Sequence, residues 1–265
     1  MRPDQAPTLL LVHGAWHGAW CWEEKFAPRL RELGHTVATM DLPGHGGSGG
    51  ARIPWFSVRQ YVDAVQAEMA RLGGPCVVVG HSMGGFVVQK LMERRPANLA
   101  GAGLVAAAPP FGVNGVVRHL LVQRPWDLLR ASLTANLYHL VREPEMARAL
   151  FYSHTMTDEE AADYWARLQN ESFRAFLDML LLDLPKPRKV AAGLPRWVVG
   201  GGQDQIFPPQ VVQRTAAAYR TKARIYPDMA HNLMLDHGWA RVAEDLSRWV
   251  STTPMEPHLP ARETA

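Results

Sequence analysis

The sequence predicts an α/β protein in which a mostly parallel, doubly wound sheet carries an inserted helical cap. Short apolar runs rich in β-branched residues alternate with longer segments of helical periodicity along most of the 265 residues. Between about residues 110 and 188 this alternation stops, and only helical patterns remain. Because 47% of the residues are hydrophobic, the chain can bury a core large enough for one such domain with an insertion.

The individual elements follow from these patterns in chain order. We predict strands near residues 8–13, 35–41, 75–81, 99–106, 195–201 and 223–227. We predict helices near residues 20–33, 57–72, 83–94, 208–219 and 239–250. The resulting domains are an α/β core over residues 1–109 and 189–250, a helical cap over 110–188 and a flexible tail over 251–265.

A serine motif marks the turn between the third predicted strand and the helix after it. Residues 80–84 read G-H-S-M-G, a match to G-x-S-x-G between an apolar run and a helical pattern. Glycines flank the serine because a sharp turn leaves no room for side chains there. Such a turn raises the hydroxyl of Ser82 above the sheet edge, and we therefore predict that Ser82 is a nucleophile.

A serine nucleophile needs a base, and the base needs an acid that orients it. Asp204 comes just after the predicted strand 195–201, and His231 comes just after 223–227. The carboxyl ends of parallel strands are where open sheets place their ligands, so these residues are expected to meet Ser82. Asp204 could instead begin a helix. Among 11 histidines, the rivals of His231 are His13, His81 and His237.

The loop after the first predicted strand supplies a candidate oxyanion hole. Residues 13–16 read H-G-A-W, and a glycine there lets the loop pass close to the nucleophile. The backbone amide of Ala15 can then point at the developing oxyanion, with the amide of Met83 as the second donor.

These motifs together resemble the α/β-hydrolases over almost the whole chain. The matching segments, in family order, read LLLVHGAW, MDLPGHGGSG, VVVGHSMGG, VVGGQDQIFP and MAHNLMLDHGW. The resemblance implies a triad of Ser82, Asp204 and His231, with the amides of Ala15 and Met83 as oxyanion hole. The doubled pattern HGAWHGAWCW resembles the branch of plant methyl-ester esterases and hydroxynitrile lyases, beside the bacterial carboxylesterases.

Two positions separate the esterases from the lyases of that branch. The resemblance implies that a lyase would carry threonine after the first histidine and lysine after the catalytic histidine. This chain has Gly14 and Asn232 there. Without that hydroxyl and that cation, ester hydrolysis is favoured over cyanide release.

The helical interval after the fourth predicted strand is expected to cover Ser82. Helical patterns begin near Trp126, after a capping box at residues 157–160, and across 171–184. Apolar residues near the motifs are candidates for a substrate pocket: Trp16, Met83, Phe111, Trp126, Phe151 and Leu233.

Composition excludes several other classes. A net charge of +3 without a basic block argues against nucleic-acid binding. The two cysteines, Cys21 and Cys76, fit neither a zinc spacing nor a disulfide framework, and we expect buried thiols. We expect no metal, no cofactor, no membrane span and no signal peptide, and hence a cytoplasmic protein, although a processed secreted form stays open. The oligomeric state does not follow from the sequence.

The sequence therefore predicts a serine hydrolase that cleaves small uncharged carboxylic esters through an acyl-enzyme. Lactones or thioesters are alternative substrates. A hydroxynitrile lyase or a carbon–carbon bond hydrolase could use the same triad, and the fold also serves small-molecule receptors. An epoxide hydrolase or dehalogenase would need aspartate in place of Ser82.

Overall fold

A six-stranded, entirely parallel sheet forms the centre of the protein. The computed structural model describes residues 6–48 and 53–255. The strands are β1 (Thr8–Val12), β2 (Val37–Met40), β3 (Cys76–His81), β4 (Leu99–Val105), β5 (Arg196–Gly201) and β6 (Ala223–Tyr226). This confirms the predicted α/β fold class and each of the six strands to within two residues at either end.

The strand order places the first and third strands side by side at the point where the sheet changes direction. The order is β2-β1-β3-β4-β5-β6, with Leu9 opposite Val37 on one side and Val77 on the other. Open parallel sheets bind ligands in the crevice beyond the carboxyl ends of the strands at such a reversal. The loops that follow β1 and β3 therefore meet at this crevice.

Alternate residues of the buried strands pack into two separate cores, one on each face of the sheet. Leu10 and Val78 face one core, whereas Leu9, Leu11 and Val77 face the other. The helices around them are α1 (Trp20–Glu23), α2 (Phe26–Glu32), α3 (Val58–Leu72), α4 (Met83–Arg94), α10 (Pro209–Ala218) and α11 (Trp239–Thr252). Residues of α3, α4 and α10 cover the first face, and residues of α1, α2 and α11 cover the second.

Between β4 and β5 the chain forms only helical structure. The elements are α5 (Asn114–Gln123), α6 (Pro125–Thr134), α7 (Pro144–Phe151), α8 (Asp158–Trp165) and α9 (Phe173–Leu177), with a π-turn (Asp178–Leu182) after α9. The expected capping box opens α8, where Thr157 Oγ1 accepts from the amide of Glu160. A third hydrophobic cluster lies inside this insertion and includes Leu120, Leu128 and Leu140.

The structure differs from the predicted elements in three places. The helix expected over 20–33 is interrupted at Lys25 (φ −141°), because Pro28 has no amide hydrogen to donate to Glu24 four residues earlier. The helical pattern over 171–184 divides into α9 and the π-turn. Helix α11 runs to Thr252, into the stretch predicted as tail, and residues 256–265 of that stretch lie outside the described residues.

Candidate active site

Ser82 stands alone between the end of β3 and the start of α4 in a backbone conformation that serine rarely adopts. Its φ is 51° and its ψ is −116°. The neighbouring glycines are needed because a Cβ on Gly80 would collide with the carbonyl of Gly84. A Cβ on Gly84 would collide with the carbonyl of His13. A strained residue held by close backbone packing is typical of functional sites, and here it presents the serine hydroxyl at the sheet edge.

His231 and Asp204 form a buried pair beyond the ends of β5 and β6. His231 Nδ1 donates to Asp204 Oδ2 at 2.8 Å, and both residues are at most 2% exposed. The other carboxylate oxygen accepts from the amides of Ile206 and Phe207 at 2.8 and 2.9 Å. With its Nδ1 occupied as a donor, the imidazole has Nε2 free to accept a proton, which is the tautomer a general base requires.

The loop that carries His231 is held from two sides by contacts that the sequence analysis missed. Buried Asp236 accepts from the amide of Ala230 at 2.8 Å and from Ser153 Oγ at 2.6 Å. The amide of Asn232 donates to the carbonyl of Phe151 at 2.9 Å. An acidic residue inside the apolar run 233–236 is the one sequence signal that could have pointed to Asp236.

Two backbone amides beside Ser82 are available as donors. Gly14 lies against the serine, since a Cβ there would be 2.9 Å from Ser82 Cβ. Among the described residues, neither the amide of Ala15 nor that of Met83 donates to any protein acceptor. The unpaired amide of Ala15 lies in a buried loop, and that of Met83 begins α4, where a helix leaves its first amides without intrahelical acceptors, so both could donate to an oxygen bound beside Ser82.

The serine and the imidazole are neighbours without a direct bond. Over residues 6–48 and 53–255, no hydrogen bond joins Ser82 Oγ to His231 Nε2. They are brought together by His81, whose Nε2 donates to the carbonyl of His231 at 3.1 Å and whose ring lies 4.8 Å from that of His231. Hydrogen bonds between a nucleophile and its base are often long or absent until substrate binds, and the missing bond between Ser82 Oγ and His231 Nε2 is consistent with this behaviour.

Comparison with known proteins places the chain in a family. A profile of the alpha/beta hydrolase family matches residues 9–245. The chain belongs to this family. Methyl jasmonate esterase 1 of Vitis vinifera is 37% identical over 121 residues, which are 44% of this chain and 46% of that protein. Methylesterase 18 of Arabidopsis thaliana is 28% identical over 243 residues, or 84% and 90% of the two chains. The matches to the first three curated relatives span less than half of those proteins' length.

Solved structures give the same fold to this α/β-hydrolase. A methylesterase from Arabidopsis superposes with a TM-score of 0.70 at 21% identity, covering 93% of this chain and all of that one. Polyneuridine aldehyde esterase superposes with a TM-score of 0.70 at 20% identity, covering 92% of this chain and 100% of that one. The expected resemblance to the plant esterase branch is thereby confirmed.

Three further histidines of the hydrolase are buried next to the site and held neutral. Burial lowers the pKa of His17 to about 4, and burial also places the pKa of His13 and of His81 well below the usual range. Their contacts agree with neutral rings. His13 donates from Nδ1 to the carbonyl of Gly14 while its Nε2 accepts from the amide of Leu42.

The residues predicted to line a pocket lie in different surroundings. Trp16 is half-buried, lines a cavity of about 500 Å³ with Leu120, Leu140 and Ile206, and packs against all three hydrophobic clusters. Phe151 is buried with its ring 6.1 Å from that of His231. Met83 and Leu233 are buried in the two cores of the sheet.

Trp16 alone of the six predicted pocket residues lines this cavity, and two of the others are partly or largely exposed. Trp126 is 79% exposed on the first turn of α6, and Phe111 is 36% exposed under the guanidinium of Arg214. The sequence pattern identified both as large apolar side chains near the insertion, but it could not say which face of the insertion they occupy.

Other ligand classes find no further site in the described residues. No group of three or more His, Cys, Asp or Glu side chains there is arranged to hold a metal ion. Cys21 and Cys76 are free and buried, as expected. None of the helices in the described ranges combines the length and the hydropathy needed to cross a bilayer.

Proposed function

We propose that this α/β-hydrolase is a serine esterase that cleaves small uncharged carboxylic esters through an acyl-enzyme intermediate. The observation that carries the proposal is the strained Ser82 between two amides that lack acceptors, beside a buried His–Asp pair. The names of the methylesterase relatives agree with ester hydrolysis. A receptor would need neither the base nor the strained serine.

In the proposed reaction Ser82 Oγ attacks the ester carbonyl while His231 Nε2 takes the hydroxyl proton. Asp204 holds the imidazole and stabilises its positive charge. The amides of Ala15 and Met83 donate to the oxyanion, and His231 returns the proton to the departing alkoxide. Water then attacks the acyl-serine by the same route, releasing the acid and restoring Ser82. Each oxyanion donor is typically worth about 3–4 kcal/mol of transition-state stabilisation.

Covalent labelling tests the nucleophile directly. A fluorophosphonate should add one label to the protein, and peptide mapping should locate it on Ser82. Ser82→Ala should neither label nor turn over ester, whereas Ser132→Ala, which changes a helical serine bonded to the carbonyl of Leu128, should do both at the wild-type rate. Label on another residue, or unchanged turnover in Ser82→Ala, would contradict the proposal.

The environment of the site supports hydrolysis over cyanide release. A Cβ at Gly14 would lie 2.6 Å from His81 Nδ1, so the loop has no room for a threonine in this position. Asn232 Nδ2 donates to His17 Nε2 at 3.0 Å and brings no positive charge. We therefore expect no cyanide from a cyanohydrin under conditions where esters turn over. Cyanide release at a comparable rate, measured colorimetrically, would overturn the choice.

The cavity beside Trp16 supports an apolar acyl or alkyl group of limited length. Each buried methylene contributes about 0.8 kcal/mol, or roughly fourfold in binding, so kcat/KM should rise with chain length until the cavity is full. Val116→Trp would fill space in the cavity wall and should move the optimum to shorter esters. The exposed Leu133→Ala is the matched control and should leave the optimum in place. An identical profile in Val116→Trp would separate the cavity from the substrate.

A further inference from the structure

The loop that offers the amide of Ala15 is fixed at both of its peptide units. The carbonyl of Gly14 accepts from His13 Nδ1 at 2.8 Å, and the carbonyl of Ala15 accepts from His17 Nδ1 at 2.7 Å. The amide of Trp16 donates to Glu171 Oε2 at 3.2 Å. Three of the four polar groups in these two peptides are thus committed, and the uncommitted one is the amide of Ala15.

Glu171 reaches this loop from the insertion, 155 residues along the chain. It is 1% exposed and lies between α8 and α9. Besides Trp16 it accepts from His45 Nε2 at 3.0 Å and from the hydroxyl of Tyr61 at 3.3 Å. Burying a carboxylate costs free energy unless other groups pair with it, and the groups that pair with Glu171 come from three separate segments of the core. Such a contact set fixes the position of the side chain.

His45 provides the charge that balances Glu171. Its Nε2 lies 3.0 Å from the carboxylate and its Nδ1 lies 3.4 Å from the carbonyl of Pro43, an arrangement with two acceptors that favours the protonated ring. Burial opposes that charge, but the charge and hydrogen bond of Glu171 outweigh it and raise the pKa of His45. Without this cation, a bare carboxylate one peptide away would repel the oxyanion that Ala15 is placed to bind.

The bond from the amide of Trp16 to Glu171 holds a strained backbone in place. The φ of Trp16 is 63°, the left-handed region, which costs an aromatic residue roughly 1–2 kcal/mol. Rotation of the Ala15–Trp16 peptide would relieve that strain and break the bond from His17 Nδ1 to the carbonyl of Ala15. The two peptides share the Cα of Ala15, so we expect that rotation to shift the amide of Ala15 against the one bond that holds its own peptide, from His13 Nδ1 to the carbonyl of Gly14.

We propose that Glu171, balanced by His45, is a positioning residue that keeps the amide of Ala15 directed at the oxyanion of the reaction. This inference rests on the proposed esterase function. It makes the insertion a part of the oxyanion hole, although none of its side chains touches the reacting atoms.

The test compares two variants of equal size on two substrates. Glu171→Met removes the acceptor for Trp16, and Glu171→Gln keeps one. An ester and its thionoester are compared because sulfur accepts hydrogen bonds weakly and draws little from the hole. Glu171→Met should lower kcat on the ester by about 10²-fold, the typical loss of one oxyanion donor, with KM within twofold. Its kcat on the thionoester should change little, and Glu171→Gln should restore most of the ester rate.

Asp178→Asn supplies the matched control for a purely structural role. Asp178 is also a buried carboxylate of the insertion, and it accepts from the amide of Val58 on α3, away from the loop. It should lower the melting temperature and leave the ester-to-thionoester ratio as in the wild type. An equal loss of kcat on both substrates in Glu171→Met, or no loss of kcat on either, would overturn the proposal.

A second variant covers the case in which Glu171→Met does not fold. His45→Gln then removes the counter-charge of Glu171, and a wild-type ratio of ester to thionoester turnover in this variant would overturn the proposal. Failure of the proposed esterase function shows separately, as a wild-type protein that turns over neither substrate, or as ester turnover that survives in Ser82→Ala and so does not use this serine.

Discussion

The buried neutral histidines predict that the protein loses stability between pH 7 and pH 5.5. His13, His17 and His81 are at most 1% exposed, and each has a ring nitrogen that a proton would place without an acceptor. His17 Nε2 accepts from Asn232 Nδ2, for example, so protonation there would set two donors against each other. His81 Nδ1 has no partner among the described residues and packs against Gly14.

The sign and size follow from proton linkage. Below its ordinary pKa of about 6.5 a histidine takes up a proton in the unfolded chain, but the pKa of His17 in the folded protein is lowered to about 4. The unfolded state therefore binds more protons in this window, and stability falls as the pH falls. Each such histidine should cost about 1 kcal/mol between pH 7 and 5.5. The raised pKa of His45 acts oppositely and offsets part of that loss, so the net loss stays below the roughly 3 kcal/mol contributed by the three neutral rings.

Urea denaturation followed by fluorescence at the two pH values measures this loss. The window stays above the range in which most carboxylates titrate, so histidines dominate it. His17→Gln should reduce the loss by about 1 kcal/mol, because one of the three neutral rings is gone. A free energy of unfolding that is flat or higher at pH 5.5 would refute the reasoning.

Three smaller predictions concern single contacts. Gly84→Ala should destabilise the fold by about 1–3 kcal/mol, because its Cβ would meet backbone carbonyls; Gly193→Ala, with open space around it, is the control in thermal melts. Asp236→Asn should lower kcat at least tenfold in steady-state assays, because its single amide oxygen cannot replace both carboxylate oxygens, one of which accepts from the amide of Ala230 and the other from Ser153 Oγ; a normal kcat would show that the His231 loop does not need the carboxylate. Tyr226→Phe should cost about 1 kcal/mol in urea unfolding by removing the 2.7 Å bond to Asp245 and leave kcat unchanged; an altered kcat would link α11 to the site.

The centre of the sheet was predictable because its four inner strands, β1, β3, β4 and β5, are buried on both faces. Fully buried strands such as Cys76–His81 need continuous apolar runs, and such runs stand out against the helical periodicity around them. The insertion was harder, because its helices are short and share one small cluster. Its amphipathic stretches could be recognised, whereas the division at Leu177 into a helix and a π-turn left no sequence signal.

The residues of the candidate site could be predicted from the sequence only where a local motif marks them. Ser82, Asp204 and His231 each follow a strand, so parallel topology brings all three to the same edge of the sheet. Glu171 has no such motif, and the role proposed for it depends on a contact with Trp16 across 155 residues. Trp126 shows the reverse error, since an aromatic residue near the insertion was expected in the pocket and is 79% exposed.

The bonds between the end of α7 and the His231 loop constrain how this protein can be recombined with its relatives. Phe151, the last residue of α7, accepts from the amide of Asn232, and Ser153, two residues later, donates to Asp236. An insertion transplanted from another family member would therefore replace the residues that contact the His231 loop. A chimera whose insertion and His231 loop come from different parents is expected to misplace His231. Recombination that keeps residues 144–153 and 230–237 from one parent preserves these contacts. Among the described residues, α5 and α6 form no hydrogen bond to the His231 loop, so they can be exchanged without breaking one.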